Sequence, residues 1–145
     1  MIDCYFIGVC EGSALDRDTN NLSLFGLIEE LQVPTEALGA VVPLQCHFYL
    51  ATSKDAIGQP IEARVLWKRQ DGSESHGANV FSLVPDALRV RNRATALQLP
   101  TAFGDYRLFL EWREPGAAEW ARSTCGWPFQ VIEQPEKSTP PTSTP

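Results

Sequence analysis

IEARVLWKRQDG, Ile61 to Gly72, is the stretch on which the reading of the fold turns. Ile61, Ala63, Val65 and Trp67 alternate with Glu62, Arg64, Leu66 and Lys68. A period of two means an extended strand, because successive side chains leave a strand on opposite faces. One face is apolar and the other mostly polar, which is the pattern of a sheet with one dry side. The strand then runs into Asp71-Gly72, and such a pair favours the tight hairpin turns that need positive φ.

The same period recurs on both sides of this stretch. Val42, Leu44, Cys46, Phe48 and Leu50 alternate with Pro43, Gln45, His47 and Tyr49. Tyr106, Leu108, Leu110 and Trp112 alternate with Arg107, Phe109, Glu111 and Arg113. At the N-terminus Ile2, Cys4, Phe6 and Cys10 are expected to share one face, with Gly8 where a neighbour passes close. Turn-forming residues divide these runs: Asp18 to Asn21, Gln70 to Ser73, Pro100 to Asp105, and Glu114 to Gly116. Only Pro34 to Leu38 hints at a helical turn. Short strands with frequent turns give a two-sheet sandwich or a barrel. The stretch Phe103-Gly104-Asp105-Tyr106 resembles the tyrosine corner of immunoglobulin-like sandwiches, in which a phenol at a strand start ties down the crossing loop. The expected fold is therefore all-β, a two-sheet antiparallel immunoglobulin-like sandwich of about seven to nine strands.

The order of motifs also resembles a bacterial family of small β-sandwich proteins of unknown function. The segments YFIGVCEG, LSLFGLIEEL, VPTEALGAVVPLQCHFYLAT, IEARVLWKRQDG and FGDYRLFLEW carry the likeness, over about Ile2 to Ile132. The resemblance implies an immunoglobulin-like fold and carries no reaction and no binding residues.

The chain of 145 residues has the length of one domain. The sandwich is expected over residues 1–133. Residues 134–145, QPEKSTPPTSTP, are too poor in apolar side chains to order themselves and read as a disordered tail. No apolar run reaches the ~20 residues of a membrane span. The start MIDCYFIGVC has no basic region ahead of its apolar residues and so is a poor signal peptide. The cytoplasm is the expected compartment. Cys4, Cys10, Cys46 and Cys125 have irregular spacing without CxxC, and in a reducing compartment such thiols act as small buried apolar groups.

Net charge is -6 and the isoelectric point about 4.8. That opposes a general nucleic-acid binder, which needs a basic footprint. The charge is uneven: residues 1–60 carry net -6, residues 61–113 net +2. Within the basic middle, LRVRNRA from Leu88 to Ala94 puts Arg89, Arg91 and Arg93 on alternate positions, facing outward together if Leu88, Val90 and Ala94 face the core. Two expectations compete. Either the row is the wet face of an ordinary strand, solvated or neutralised across strands by Glu62, Glu111 or another acid of this chain, or it is a binding surface that meets a partner's carboxylates or phosphates. Asn92 sits on the inward side of the row, and Leu97 and Leu99 continue the opposite parity, so a bulge is expected near Asn92. Tyr49 and Phe109 fall on outward faces and complete the candidate interaction surface of Arg89, Arg91, Arg93, Tyr49 and Phe109.

Catalytic patterns are missing. There is no GxSxG, no Gly-rich phosphate loop and no HExxH. Cys46 and His47 are adjacent, so a strand points them to opposite faces. Asp16, Asp18 and Asn20 have the first spacings of a calcium loop, but Asn21 stands where Gly is required and Leu27 where Glu is required. A polar hairpin turn is the expectation there, with no cofactor and no metal. The expected function is a non-enzymatic protein-binding or assembly module whose partner is another protein or a second copy of itself. Two other classes compete: a small-molecule or carbohydrate-binding sandwich using Trp120 and Trp127, and a small hydrolase joining Cys125, His76 and a carboxylate.

Overall fold

A computed structural model describes residues 1–77 and 79–135. The tail expected at 134–145 falls outside the described residues beyond Pro135. Among the described residues there are thirteen strands and two short 3-10 turns. The strands are β1 (Ile2–Leu15), β2 (Leu22–Leu27), β3 (Glu30–Val33), β4 (Val41–Val42), β5 (Gln45–Thr52), β6 (Ile61–Arg69), β7 (Glu74–His76), β8 (Phe81–Leu83), β9 (Arg89–Ala94), β10 (Leu97–Gln98), β11 (Gly104–Arg113), β12 (Ala121–Arg122) and β13 (Trp127–Glu133). One 3-10 turn, Thr35–Ala37, lies where the sequence hinted at a helical turn; the other is Lys54–Ala56.

The first sheet has the order β2-β1-β5-β9. The second has the order β3-β13-β11-β6-β7, with β12 also on β11 and β8 also on β6. Every pair is antiparallel except β13 with β3. The strand count exceeds the expected seven to nine because several ladders are two or three residues long. β6 shows why: its C-terminal half pairs with β7 and its N-terminal half with β8.

The two sheets bury their facing sides. Cys46, Phe48 and Leu50 of β5 face Ala63, Val65 and Trp67 of β6, and Leu108 and Leu110 of β11 complete the middle layer. Trp67 is 1% exposed. Its indole meets Tyr106 and Phe129 edge-on, with centroids 5.4 and 5.3 Å away. Its Nε1–H donates to the Gln98 carbonyl at 3.1 Å, so the one polar atom of the indole is satisfied. The tyrosine corner forms: the Tyr106 hydroxyl donates to the Ala102 carbonyl at 2.7 Å. Gly104 opens β11 at φ +154, and a Cβ there would lie 3.0 Å from the Arg69 guanidinium. Glycine thus lets Arg69 cross the corner and donate to the Phe103 carbonyl at 3.3 Å. Asp71-Gly72 makes the expected turn, with Gly72 at φ +88.

Two expectations about strand phase are corrected. In β1 the register slips between Cys4, which faces Leu50, and Phe6, which faces Tyr49. Tyr5 is the extra residue of a bulge, and a bulge of one residue inverts everything after it. Ile7 and Val9 therefore enter the core with Cys4, while Phe6 and Cys10 pair with the outward residues Tyr49 and Gln45. The bulge expected near Asn92 does not exist: β9 pairs with β5 without a break from Arg89 opposite Ala51 to Ala94 opposite Cys46. The change of parity at Leu97 arises because the chain leaves the sheet after Ala94 and pairs again as β10 with β4.

Replacing Tyr106 by Phe is expected to cost about 1 kcal/mol, the typical net worth of one intramolecular hydrogen bond. Leu108→Ala should cost about 2–5 kcal/mol through the cavity it leaves. Urea unfolding of both variants checks the order; equal losses would show that the corner bond is worth as much as the core side chain.

Candidate functional site

The outer face of the first sheet is built by β5 and β9. Their register sets Arg93 opposite His47, Arg91 opposite Tyr49 and Arg89 opposite Ala51. Arg89, Arg91 and Arg93 are exposed and Val90, Asn92 and Ala94 half-buried, as their alternation in sequence requires. Same-face residues stand ~6.6 Å apart along a strand, so the guanidiniums form an evenly spaced row. β9 is the edge strand of its sheet.

The β1–β2 hairpin curls over this face. Asn20, at φ +58 in its turn, presents its carbonyl to Arg91, which donates at 2.9 Å. Arg93 donates to the Ser13 hydroxyl at 3.4 Å, and Ser13 donates to Gln45 Oε1 at 2.9 Å. His47 Nε2 lies 2.9 Å from the same oxygen, which only accepts, so His47 carries its proton on Nε2. Hairpin, β5, β9, Val84 and Asp86 line an open cleft of about 730 Å³. His47 is 2% exposed. Burial first, and the Arg93 charge second, hold its pKa below the usual histidine value, so the imidazole stands neutral in the folded protein. Tyr49 sits beside Phe6 at 4.8 Å and Tyr5 at 5.9 Å, giving the face an aromatic flank.

The expected neutralisation of the row by Glu62 or Glu111 is overturned. Both belong to the second sheet, where Glu62 accepts from Arg113 at 2.7 Å and Glu111 from Arg64 at 3.2 Å. Arg122 pairs with Glu74 at 2.9 Å. Among the described residues, no carboxylate lies within ion-pair distance of Arg89, Arg91 or Arg93. Phe109 is opposite Leu66 on the second sheet, so it stands apart from the other four candidate residues.

Glu111 anchors a second polar cluster. It is 3% exposed yet on an outward face, with Arg64, His76 at 2.9 Å and Arg122 at 3.8 Å around it. Trp120 folds over this cluster, its ring 4.0 Å from the Arg64 guanidinium and 4.3 Å from that of Arg113. A buried carboxylate needs such company, because an unpaired one is strongly penalised. Trp127 lies elsewhere: its indole donates to the Ile28 carbonyl at 2.8 Å and meets Phe6 edge-on. The two tryptophans are thus each engaged by their own chain and form no common stacking platform.

The cysteine readings also resolve. All four thiols are free. Cys46 is core, with burial pushing its pKa up to about 12, while His47 points to the other face. The Cys125 thiol donates to the Cys4 carbonyl at 3.0 Å and packs against the core, whereas His76 is held by Glu111 on the second sheet. Asp16 folds its own turn, accepting from the amides of Asp18 and Thr19 at 2.9 and 3.2 Å. No helix among the described residues is long and apolar enough to cross a membrane.

The sequence showed the row and Tyr49 but not the hairpin that reaches them. Ser13 and Gln45 carried no signal and Asn20 read only as part of a polar turn, because their contacts to the row span up to 80 positions of chain.

No family model and no curated protein matches the chain. A solved structure, a family 123 glycoside hydrolase from Clostridium perfringens described for glycolipid glycan hydrolysis, is similar at 11% identity and a TM-score of 0.36. The match covers 88% of this chain and 27% of that one. At that score it carries no argument about substrate or reaction. What stands is the all-β architecture.

A histidine kept neutral by burial opposes protonation, so folding stability is full above the ordinary histidine pKa and falls as pH drops through it toward the depressed folded value. Between about pH 7.5 and 5, His47→Gln should lose less stability than the unaltered protein. Chemical unfolding across that window measures it; parallel curves would show that His47 contributes nothing.

Proposed function

We propose that the protein is a non-enzymatic protein-binding module whose contact surface is the arginine face of the first sheet. Its partner is an acidic, extended segment of another protein. The observation that carries the reading is the contrast between the sheets. The arginines of the second sheet that face Glu62, Glu74 and Glu111 are paired within the chain, while among the described residues the row on β9 donates to a carbonyl and a hydroxyl and meets no carboxylate.

The chemistry follows from the spacing. A partner strand laid beside the edge strand β9 carries its own alternate side chains at the same ~6.6 Å interval. Carboxylates at every second position then meet the guanidiniums, in pairs that are charge-assisted and can be bidentate. The free edge of β9 supplies main-chain hydrogen bonds to such a strand. Tyr49 and Phe6 offer apolar contact beside the charges, which a purely electrostatic surface lacks. Exposed pairs are worth about 0.2–1 kcal/mol each, so the complex is of moderate affinity and salt-sensitive. A second copy of the chain is another source of acid, since residues 1–60 carry net -6. Four free cysteines support a reducing compartment such as the cytoplasm.

The test is a titration of a labelled peptide of alternating Glu and Thr or Val against the unaltered protein and Arg89→Ser/Arg91→Ser/Arg93→Ser. The unaltered protein should bind, the triple variant about tenfold more weakly, and about 0.5 M salt should abolish the difference. Equal binding by both proteins at low salt would exclude the row as the contact surface. Mass measurement at high concentration separates the self-association outcome: a dimer that the triple variant loses would make the second copy the partner.

A further inference from the structure

A second cavity opens on the opposite side of β9. It lies where the edge of the first sheet meets β6, β8 and β10, and has a volume of about 430 Å³. Its lining is mainly apolar, with Phe48, Val65, Phe81, Leu83, Ala94 and Leu97 among its walls. Phe48 and Leu97 belong to the buried core, so the cavity reaches down to the core layer. Phe48 and Phe81 lie with ring centroids 5.4 Å apart and make an aromatic corner in it.

One polar group in this lining is out of place. Asn92 is on the inward face of β9, opposite Phe48. Its Nδ2 is buried and donates to no acceptor. A buried amide donor left unmade is costly, and such atoms are rare enough to demand a reason. Nothing in packing asks for asparagine here: Val90 and Ala94 on either side of it serve the same face without a polar atom. Arg93 borders both this cavity and the outer cleft, but its guanidinium is on the outward side of β9, where it donates to Ser13. An apolar chamber of this size with an unfilled donor in its wall has the composition of a small-ligand site.

We propose that this cavity binds a small amphipathic carboxylate. The apolar body lies against Phe48, Phe81, Leu83 and Leu97. A carboxylate oxygen accepts from Asn92 Nδ2. The site is separate from the acidic-segment surface, because the inward side chains of β9 build it and the outward arginines build the other, although Asn92 and Arg93 border both cavities.

Decanoate serves as the probe, with decyltrimethylammonium as the same chain bearing the opposite charge. Amide chemical shifts are followed by NMR on the unaltered full chain, Asn92→Leu and Ala94→Phe. Decanoate should saturate below about 1 mM, with the largest shifts at Cys46, Val65, Ala94 and Leu97, and the cationic analogue should bind at least tenfold more weakly. Asn92→Leu, which keeps the size and removes the donor, should weaken decanoate about tenfold or more and leave the acidic peptide's affinity unchanged. Ala94→Phe, which fills the chamber, should abolish decanoate binding; Leu83→Trp is the alternative block if that variant does not fold. No saturation, shifts confined to the arginine face, equal binding of both head groups, or unchanged affinity in Asn92→Leu would each overturn the proposal.

Discussion

The edge-on meeting of Trp67 with Tyr106 and Phe129 is the constraint on which the rest of the structure depends. Those three rings belong to the three adjacent strands β6, β11 and β13, so one aromatic cluster fixes the relative register of half the second sheet. The indole's hydrogen bond to Gln98 reaches out of the sheet to β10, and the Tyr106 phenol ties the corner before β11. With all four cysteines free, no cross-link holds the sheets together. The apolar core that both sheets bury between them does that work, and the aromatic cluster, worth about 0.5–1.5 kcal/mol per pair beyond area burial, fixes the second sheet's side of it.

Charge is divided between the sheets in a way that follows from topology. β6, β7, β11 and β12 lie side by side, so their outward acids and bases meet directly and pair off around Glu62, Glu74 and Glu111. The arginine strand β9 is separated from them by the thickness of the sandwich and, among the described residues, pairs with β5 alone. The outward residues of β5 are Gln45, His47 and Tyr49, which offer no carboxylate. The same chain therefore pairs Glu62, Glu74 and Glu111 with arginines on one face, while among the described residues the row on the other face has no carboxylate within ion-pair distance. Neutral His47 belongs to this logic, since a second cation beside Arg93 in a buried position would raise the cost of the row.

β9 itself has two unlike sides. Its outward residues include three cations, and its inward residues include Asn92, whose buried amide donor has no partner among the described residues. An edge strand is where both can be tolerated, because neither face of it is closed by a strand on each side. The hairpin of β1 and β2 is long enough to fold back over the outward side, which turns a flat row into a cleft.

How much of this was legible in the sequence depends on the range of the interaction. Alternation in β5, β6, β9 and β11, the Asp71-Gly72 turn and the corner tyrosine are local, each decided by the pleat or by the φ that a turn requires, and they were readable residue by residue. The phase of β1 was not, because the bulge at Tyr5 is set by what β5 offers opposite it, and one extra residue reverses every face beyond. The outward direction of Arg89, Arg91 and Arg93 is fixed by the sequence alone. Which carboxylates they meet is a question of which strands become neighbours, and only the tertiary structure decides it, since pairing joins residues dozens of positions apart through contacts that no local pattern encodes.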